Sequence, residues 1–209
     1  YAAGFLAVLF VVKTLHKQSI RSLTTSRAKI DWKRFWFAFL FWGIISSGFV
    51  LVDHYMNPEN YEFNFKLVPF LILVAIAIVL VPLQTSFEEY LFRGYLMQGI
   101  GVFCKNKWMP LIITSVTFGL LHILNPEIEK LGVNLIWYYI GTGLFLGVIT
   151  LMDEGLELAL GFHAANNLVT ALLVTASWTS FQTESLLIDN SEPSLIKELL
   201  IIIYLKIII

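Results

Sequence analysis

Hydrophobic residues fill long stretches of this chain, and polar residues gather in short segments between them. Several stretches approach or reach the length of about 20 residues that an α-helix needs to cross a bilayer. The apolar segments lie at residues 1–12, 35–52, 67–83, 85–101, 108–124, 133–152, 156–177 and 194–209. The pattern therefore predicts an all-α protein, a polytopic transmembrane bundle of about seven to eight helices.

The composition supports a single integral-membrane domain over residues 1–209. Of the 209 residues, 57% are hydrophobic and only 14% are charged, whereas soluble domains contain about 45–50% apolar and 25% charged residues. The net charge of −1 gives no sign of a nucleic-acid partner, and membrane lipid is the partner that the composition predicts. The single cysteine, Cys104, excludes an internal disulfide.

The distribution of basic residues predicts which side of the membrane each loop occupies. Residues 13–34 contain seven of the fourteen Lys and Arg residues, so this loop is expected in the cytoplasm. The loop at 53–66 has three acidic residues and one Lys, and we expect it on the other side. Because the chain begins at Tyr1 inside an apolar run, we also expect that residues precede it in the whole protein.

The segment at 85–101 does not fit a simple alternation of crossings. If it crossed fully as a separate helix, Lys105 and Lys107 would lie outside the cytoplasm, against the positive-inside rule. We therefore expect a break near Pro82, followed by a broken or partial span that enters from the cytoplasmic side.

One charged cluster, FEEYLFR at residues 87–93, lies between two apolar runs. A charged side chain in hydrocarbon costs about 2.5–3.5 kcal/mol even on the mildest scales, so these groups should face the protein interior or water. On a helix, Glu89 and Arg93 are four residues apart and can pair, whereas Glu88 points about 100° away. We predict a structural Glu89–Arg93 ion pair and a Glu88 carboxylate that is left for chemistry.

Two of the four histidines lie within or at the end of apolar segments. His122 follows Phe118 by four residues, and His163 precedes Asn167 by four residues, so the latter two share a helix face. Each alone is weak evidence, because intramembrane His and Asn side chains often only hydrogen-bond to neighbouring helices. Together with Glu88 they supply a base, a second titratable group and hydrogen-bond donors, which water-mediated hydrolysis needs.

The three motifs, EExxxR at 88–93, FxxxH at 118–122 and HxxxN at 163–167, resemble the signature of the CAAX protease and bacteriocin-processing (Abi) family. The resemblance covers residues 84–170, the motif-bearing core. It implies a helical fold with an intramembrane catalytic cavity open to the cytoplasmic side. It also implies an intramembrane endopeptidase that hydrolyses a peptide bond of a membrane-associated protein or peptide.

The resemblance also implies a role for each motif residue. Glu88 would be the general base that activates water, assisted by His122. His163 and Asn167 would stabilise the oxyanion, and the Glu89–Arg93 pair would support the site. We expect no cofactor, and the residue usage leads us to expect a bacterial inner (cytoplasmic) membrane.

Two other interpretations stay open. Glu88, His122 and His163 form a His₂Glu set, which is a zinc-ligand type, so a zinc-dependent intramembrane protease is one alternative. The HExxH pattern that places two His ligands on one helical turn is absent, however. Intramembrane Glu, His and Arg also form proton relays and substrate sites, so the second alternative is a non-proteolytic transporter or immunity protein.

Overall fold

A computed structural model describes residues 1–194 as a helical bundle with one small sheet. The α-helices are α1 (Ala2–Thr14), α2 (Ile20–Thr24), α3 (Trp32–Met56), α4 (Leu67–Glu89), α5 (Met97–Cys104), α6 (Trp108–Leu120), α7 (Pro126–Leu131), α8 (Ile136–Asp153) and α9 (Glu157–Leu173). A π-helical segment, Tyr90–Leu96, joins α4 to α5, and 3-10 turns cover Pro58–Asn60 and Val133–Leu135. The strands are β1 (Tyr61–Phe63), β2 (Val174–Thr175) and β3 (Leu187–Asp189). The predicted helix over 194–209 lies outside the described residues, apart from Ser194.

Among residues 1–194, three helices are long and apolar enough to cross a bilayer. They are Trp32–Met56, Leu67–Cys104 and Val133–Asp153, and α1 and α6 are shorter apolar helices. In the most apolar stretch of the first two, only 11% of the residues are buried inside the protein, so most of their apolar surface faces outwards, as lipid contact requires. The chain is an all-α integral membrane protein, which confirms the predicted fold class.

The predicted break near Pro82, ahead of a separate helix over 85–101, is wrong. α4, the π-helical segment and α5 form one helix of 38 residues, Leu67–Cys104. A proline removes one backbone donor, but in an apolar environment the neighbouring backbone groups must still bond locally, so the helix continues. At 1.5 Å per residue this helix is about 57 Å long, which exceeds the hydrocarbon thickness of about 30 Å. A single crossing therefore separates Lys66 from Lys105 without any break.

Close helix packing brings the motif-bearing helices together. α9 packs against α3 and α4, and α6 packs against α8. A Cβ added at Gly161 on α9 would lie 2.2 Å from the Phe35 carbonyl oxygen of α3, and one at Gly143 on α8 would lie 3.0 Å from the Ser115 backbone of α6. Only glycine fits at such approaches, so these two glycines permit the close packing of α9 on α3 and of α8 on α6.

The loops form two groups, one at each end of the bundle. At the end that we call the sheet end, β3 pairs antiparallel with β1 and parallel with β2. The Ser180 hydroxyl donates to Glu127 of α7 (2.8 Å), which joins this short helix to the same end. This sheet was not predicted, because its strands have only two or three residues and their pairing is far apart in sequence.

The other loop group, which we call the basic end, contains the 15–31 segment, residues 105–107 and the turn at 153–157. Arg27 donates to the Asp153 carboxylate (3.1 Å), and an isolated bridge joins Thr25 to Gly155. Residues 22–26, 105–107 and 154–156 line one cavity at this end. Since Lys105 and Lys107 lie together with the basic 13–34 loop, the long helix agrees with the positive-inside rule, and no partial span is needed.

Candidate active site

Glu89 lies at the end of α4 and accepts hydrogen bonds from two other motif residues. Its side chain is fully buried, and its Oε1 accepts from Arg93 Nη1 at 3.0 Å. The predicted Glu89–Arg93 pair is thus present, within the π-helical part of the long helix. The same Oε1 lies 2.7 Å from Nδ1 of His163 on α9. A carboxylate oxygen bound in this way accepts, so Nδ1 of His163 carries the proton.

Arg93 is held on three sides. Besides Glu89, its Nη2 donates to the Gly143 carbonyl of α8 (3.2 Å), and its guanidinium carbon lies 4.4 Å from the centroid of the Phe118 ring on α6. The Arg93 side chain is 1% exposed. A buried guanidinium with a carboxylate, a carbonyl and an aromatic face as partners links α4 to α6 and α8.

Glu88 is oriented differently from Glu89, as the helical period predicts. Its Oε1 accepts from Gln84 Nε2 (3.2 Å), and its Oε2 lies 3.8 Å from Nε2 of His163. Its side chain keeps 13% of its exposure, whereas Glu89 keeps none. His163 therefore stands between the two glutamates. Sequence reasoning missed this bridge and also missed Gln84, whose position one helical turn before Glu88 was the available signal.

His122 lies just beyond the end of α6, in the turn that follows Leu120. Its Nδ1 donates to the Phe118 carbonyl (2.8 Å), because a carbonyl oxygen can only accept. Its ring stacks on Tyr139 of α8, with centroids 4.2 Å apart. The Phe118 ring contacts both His122 and His163, with centroid distances of 4.9 and 6.2 Å. The Phe118 side chain is therefore a contact that the two histidines share.

Asn167 lies one turn after His163 on α9 and is bonded to its neighbour Asn166. Asn166 Nδ2 donates to Asn167 Oδ1 (3.2 Å), and Asn166 Oδ1 accepts from Trp42 Nε1 on α3 (3.1 Å). Trp42 is buried and packs on Phe162, with ring centroids 4.2 Å apart. Neither Trp42 nor Asn166 was singled out as a site residue from the sequence.

The six predicted site residues thus come from α4, the π-helical segment, the turn after α6, and α9. Glu88, Glu89, Arg93 and His163 form one connected cluster, and His122 joins it through Phe118. Asn167 belongs to a second chain of hydrogen bonds that leads to α3. The cavity at the basic end includes Arg93 in its wall but none of the four predicted catalytic residues, so a catalytic cavity at those four residues stays a prediction.

Two observations bear on the zinc alternative. Within residues 1–194, no group of three or more His, Cys, Asp or Glu side chains lies close enough to hold one metal ion. Both histidines of the proposed His₂Glu set use Nδ1 for protein contacts, with the Phe118 carbonyl and with Glu89. Each therefore keeps Nε2, the nitrogen through which a histidine whose Nδ1 donates to a carbonyl or a carboxylate can bind a metal, so the zinc alternative and the expectation of no cofactor both stay predictions.

Adjacent carboxylates, histidines and an asparagine, held inside a bundle of membrane helices, define an intramembrane protein with a cluster of buried ionisable groups. Residues 64–169, just over half of the chain, match the family model described as type II CAAX prenyl endopeptidase Rce1-like, and the chain belongs to that family. The family predicted from the three motifs is confirmed. The match begins just before α4 and ends in α9, so it includes every predicted site residue.

A curated relative is also similar over most of this chain. The two sequences are 34% identical over 176 residues, which are 84% of this chain, and the relative is the uncharacterized protein YyaK of Bacillus subtilis (strain 168). The aligned region is 59% of the relative, so the chain spans about three fifths of its length. No solved structure matches the chain.

Proposed function

We propose that this protein is an intramembrane endopeptidase that hydrolyses a peptide bond of a membrane-associated protein or peptide. The observation that carries the proposal is the unbroken series of contacts from Arg93 through Glu89 and His163 to Glu88 in an apolar bundle. Buried ionisable groups of this kind are expensive in a membrane protein and are usually functional. Membership of a family described as endopeptidases favours peptide hydrolysis over transport.

Glu88 is the general base in the proposed mechanism. It takes a proton from water, the water oxygen attacks the peptide carbonyl carbon, and the proton passes to the leaving amine as the C–N bond breaks. Gln84 holds one Glu88 oxygen by a hydrogen bond, which leaves Oε2 on the side of His163. His122 assists, since its Nδ1 is used by the Phe118 carbonyl and its Nε2 is the nitrogen that can contact the water.

His163 and Asn167 stabilise the oxyanion that forms during attack. Because Nδ1 of His163 donates to Glu89, its Nε2 can donate only when the ring is cationic. Glu89 stabilises that cation, as a buried carboxylate does for a catalytic histidine in serine proteases. A hydrogen-bond donor of this kind is worth about 2.7–4 kcal/mol in comparable sites. Arg93 balances the charge of Glu89 and holds it in place.

The proposal also includes an orientation. The basic end carries most of the loop Lys and Arg residues, so we place it in the cytoplasm of a bacterial cell, consistent with the bacterial relative. His163 lies six residues into α9 from the basic end, about 9 Å along the helix axis. This depth supports a site that opens towards the cytoplasmic side. The substrate and lipid contacts are then made within the inner membrane.

The test compares native membranes that contain the wild-type protein with membranes that contain Glu88→Gln. Peptide termini that appear only with the wild type identify a substrate, and a synthetic peptide of that sequence is then assayed with purified protein in lipid nanodiscs. We expect Glu88→Gln to lower kcat by a factor of about 10²–10⁴, the contribution of a general base. Glu59→Gln, the same change at an exposed position, should leave the rate unchanged.

Three results would contradict the proposal in distinct ways. Full cleavage activity in Glu88→Gln would exclude this cluster as the catalytic site. Stoichiometric zinc that is lost with changes at Glu88, His122 or His163, but not at Asn167, would replace the metal-free mechanism with the zinc-dependent one. Proton-coupled flux in liposomes, with no peptide cleaved by the purified protein, would favour a transporter.

A further inference from the structure

The chain of hydrogen bonds from α3 to Asn167 has a defined direction. Trp42 Nε1 lies 3.1 Å from Asn166 Oδ1, and Asn166 Nδ2 lies 3.2 Å from Asn167 Oδ1. The indole N–H of tryptophan can only donate. It therefore requires the oxygen of the Asn166 amide on its side, and this places the Asn166 NH₂ group on the side of Asn167.

The same reasoning determines the orientation of the Asn167 side-chain amide. Since Asn166 presents a donor, Asn167 must present its acceptor, Oδ1, in return. The NH₂ group of Asn167 is then turned away from Asn166 and is left for another acceptor. A rotation of 180° about the last side-chain bond would exchange the two ends and would present an oxygen in place of the donor.

This orientation matters for the chemistry only because of the proposed function, in which Asn167 donates to the oxyanion. An amide NH₂ stabilises developing negative charge, whereas an amide oxygen at the same place repels it. Both ends of the amide are almost identical in shape, so packing alone does not select between them. The indole N–H of Trp42, a fixed donor on the far side of Asn166, does select between the two orientations.

We propose that Trp42 and Asn166 are positioning residues, which hold the Asn167 amide with its NH₂ group towards the reacting carbonyl. Trp42 is suited to this role because it is 5% exposed and its ring packs on Phe162, so its N–H has a fixed direction. Trp42 lies on α3, before the region 64–169 that matches the family model. The helix that precedes the three motifs therefore contributes to specifying one of their side chains.

The most direct test is Asn166→Asp, a change that conserves shape. A carboxylate accepts at both oxygens, so it can still bind Trp42 but cannot donate to Asn167. It would instead accept from the Asn167 NH₂ and turn this amide around. We expect kcat to fall by a factor of about 10²–10³, as for Asn167→Ala, with KM changed less than about threefold, because an oxyanion donor acts mainly in the transition state. Asn134→Asp, at an exposed position, is the matched control.

Trp42→Phe tests the other end of the Trp42–Asn166–Asn167 chain of hydrogen bonds, which we call the relay. This change introduces no charge. It keeps an aromatic ring against Phe162 but removes the N–H, so the Asn166 amide loses its selecting donor. We expect a smaller loss in kcat, of about three- to tenfold, because both amide orientations then become populated. Trp36→Phe on the exposed face of the same helix should have no effect. The midpoint of thermal unfolding, measured for every variant, separates a loss of folding from a loss of orientation.

A double-mutant cycle distinguishes failure of this inference from failure of the proposed function. In an Asn167→Ala background, Asn166→Asp and Trp42→Phe should each change kcat by less than about twofold, because the group that they orient is gone. If Asn167→Ala alone is fully active, the proposed role of Asn167 is wrong. If Asn167→Ala loses activity while Asn166→Asp and Trp42→Phe, both folded, retain it, the relay is wrong and the proposed function stands. Losses that persist unchanged in the Asn167→Ala background would also overturn the relay.

Discussion

At the scale of the residue, Glu89 is the buried carboxylate that contacts both basic side chains of the cluster. One of its oxygens accepts from both Arg93 and His163, and within the part of the chain that the structure describes its other oxygen, Oε2, is buried without a hydrogen-bond partner. A buried carboxylate is tolerated only while its positive partners remain. Glu88, by contrast, keeps some exposure and has the neutral Gln84 as a partner. The two adjacent glutamates therefore differ in what they contribute to stability.

This difference predicts unequal effects on stability. Arg93→Ala strands the Glu89 carboxylate and should lower the free energy of unfolding by about 3–5 kcal/mol, the usual result of breaking a buried ion pair. Glu88→Gln should change it by less than about 1 kcal/mol, because a partly exposed carboxylate is replaced by an isosteric amide. Thermal and denaturant unfolding in detergent would measure both.

Arg93→Lys serves as the matched variant, since it keeps the charge but loses the planar group that reaches both Glu89 and the Gly143 carbonyl. The free energy of unfolding of Arg93→Lys should lie between those of the wild type and Arg93→Ala. An equal loss of stability for Arg93→Ala and Glu88→Gln would show that the division of roles between the two glutamates is wrong.

At the scale of the element, α9 is the helix whose position determines the site. It carries His163, Asn166 and Asn167, and it packs against α3 and α4. Its contact with α3 is close because Gly161 lies against the Phe35 carbonyl oxygen. Gly161 comes two residues before His163, so a displacement of α9 at this point would move the histidine relative to both glutamates.

Gly161→Ala should therefore lower stability and activity together. The added Cβ would lie 2.2 Å from the Phe35 oxygen, so the helices must separate, and such overpacking typically destabilises by about 1–3 kcal/mol. Gly48→Ala is the matched control, because nothing lies within 4 Å of a Cβ there. It should be neutral or slightly stabilising, since alanine favours helix formation. Unfolding in detergent and the cleavage rate are the measurements, and equal behaviour of the two variants would contradict the role assigned to Gly161.

At the scale of the whole molecule, the loops are sorted between two ends. The sheet joins the segments at 61–63, 174–175 and 187–189, and the Lys66–Glu184 ion pair (3.6 Å) lies at the same end. Arg27 and Arg34 both contact Asp153 at the basic end. Contacts between loops that are far apart in sequence thus agree with the positive-inside rule, which predicts that successive loops alternate between the two sides of the membrane.

Labelling of single cysteines would test this arrangement. In a Cys104→Ser background, Lys29→Cys and Lys105→Cys should react only with reagents that reach the cytoplasm, and Glu59→Cys should react with impermeant reagents added outside intact cells. The reason is that the long Leu67–Cys104 helix separates the two ends. Labelling of position 29 from outside would reverse the orientation, and labelling of positions 29 and 105 from opposite sides would contradict the two-end grouping.

The sequence by itself determined the fold class and the list of motif residues. Long apolar runs need no tertiary information to be read as membrane helices, because the bilayer sets their length and composition. The Glu89–Arg93 pair was also predictable, since residues four apart on a helix meet wherever that helix packs. The three motifs that identify the family lie within short segments, each of one helical turn or slightly more, and local spacing is sufficient to recognise them.

Only the tertiary structure decided what these residues contact. Continuity through Pro82 depends on the energy of unsatisfied backbone groups in an apolar surrounding, which a proline-based rule does not include. The contact of His163 with Glu89 joins residues 74 positions apart, and that of Trp42 with Asn166 joins residues 124 apart. Such contacts depend on how the helices cross and rotate against one another. That geometry is set by the packing of many side chains at once, and no local pattern in the sequence encodes it.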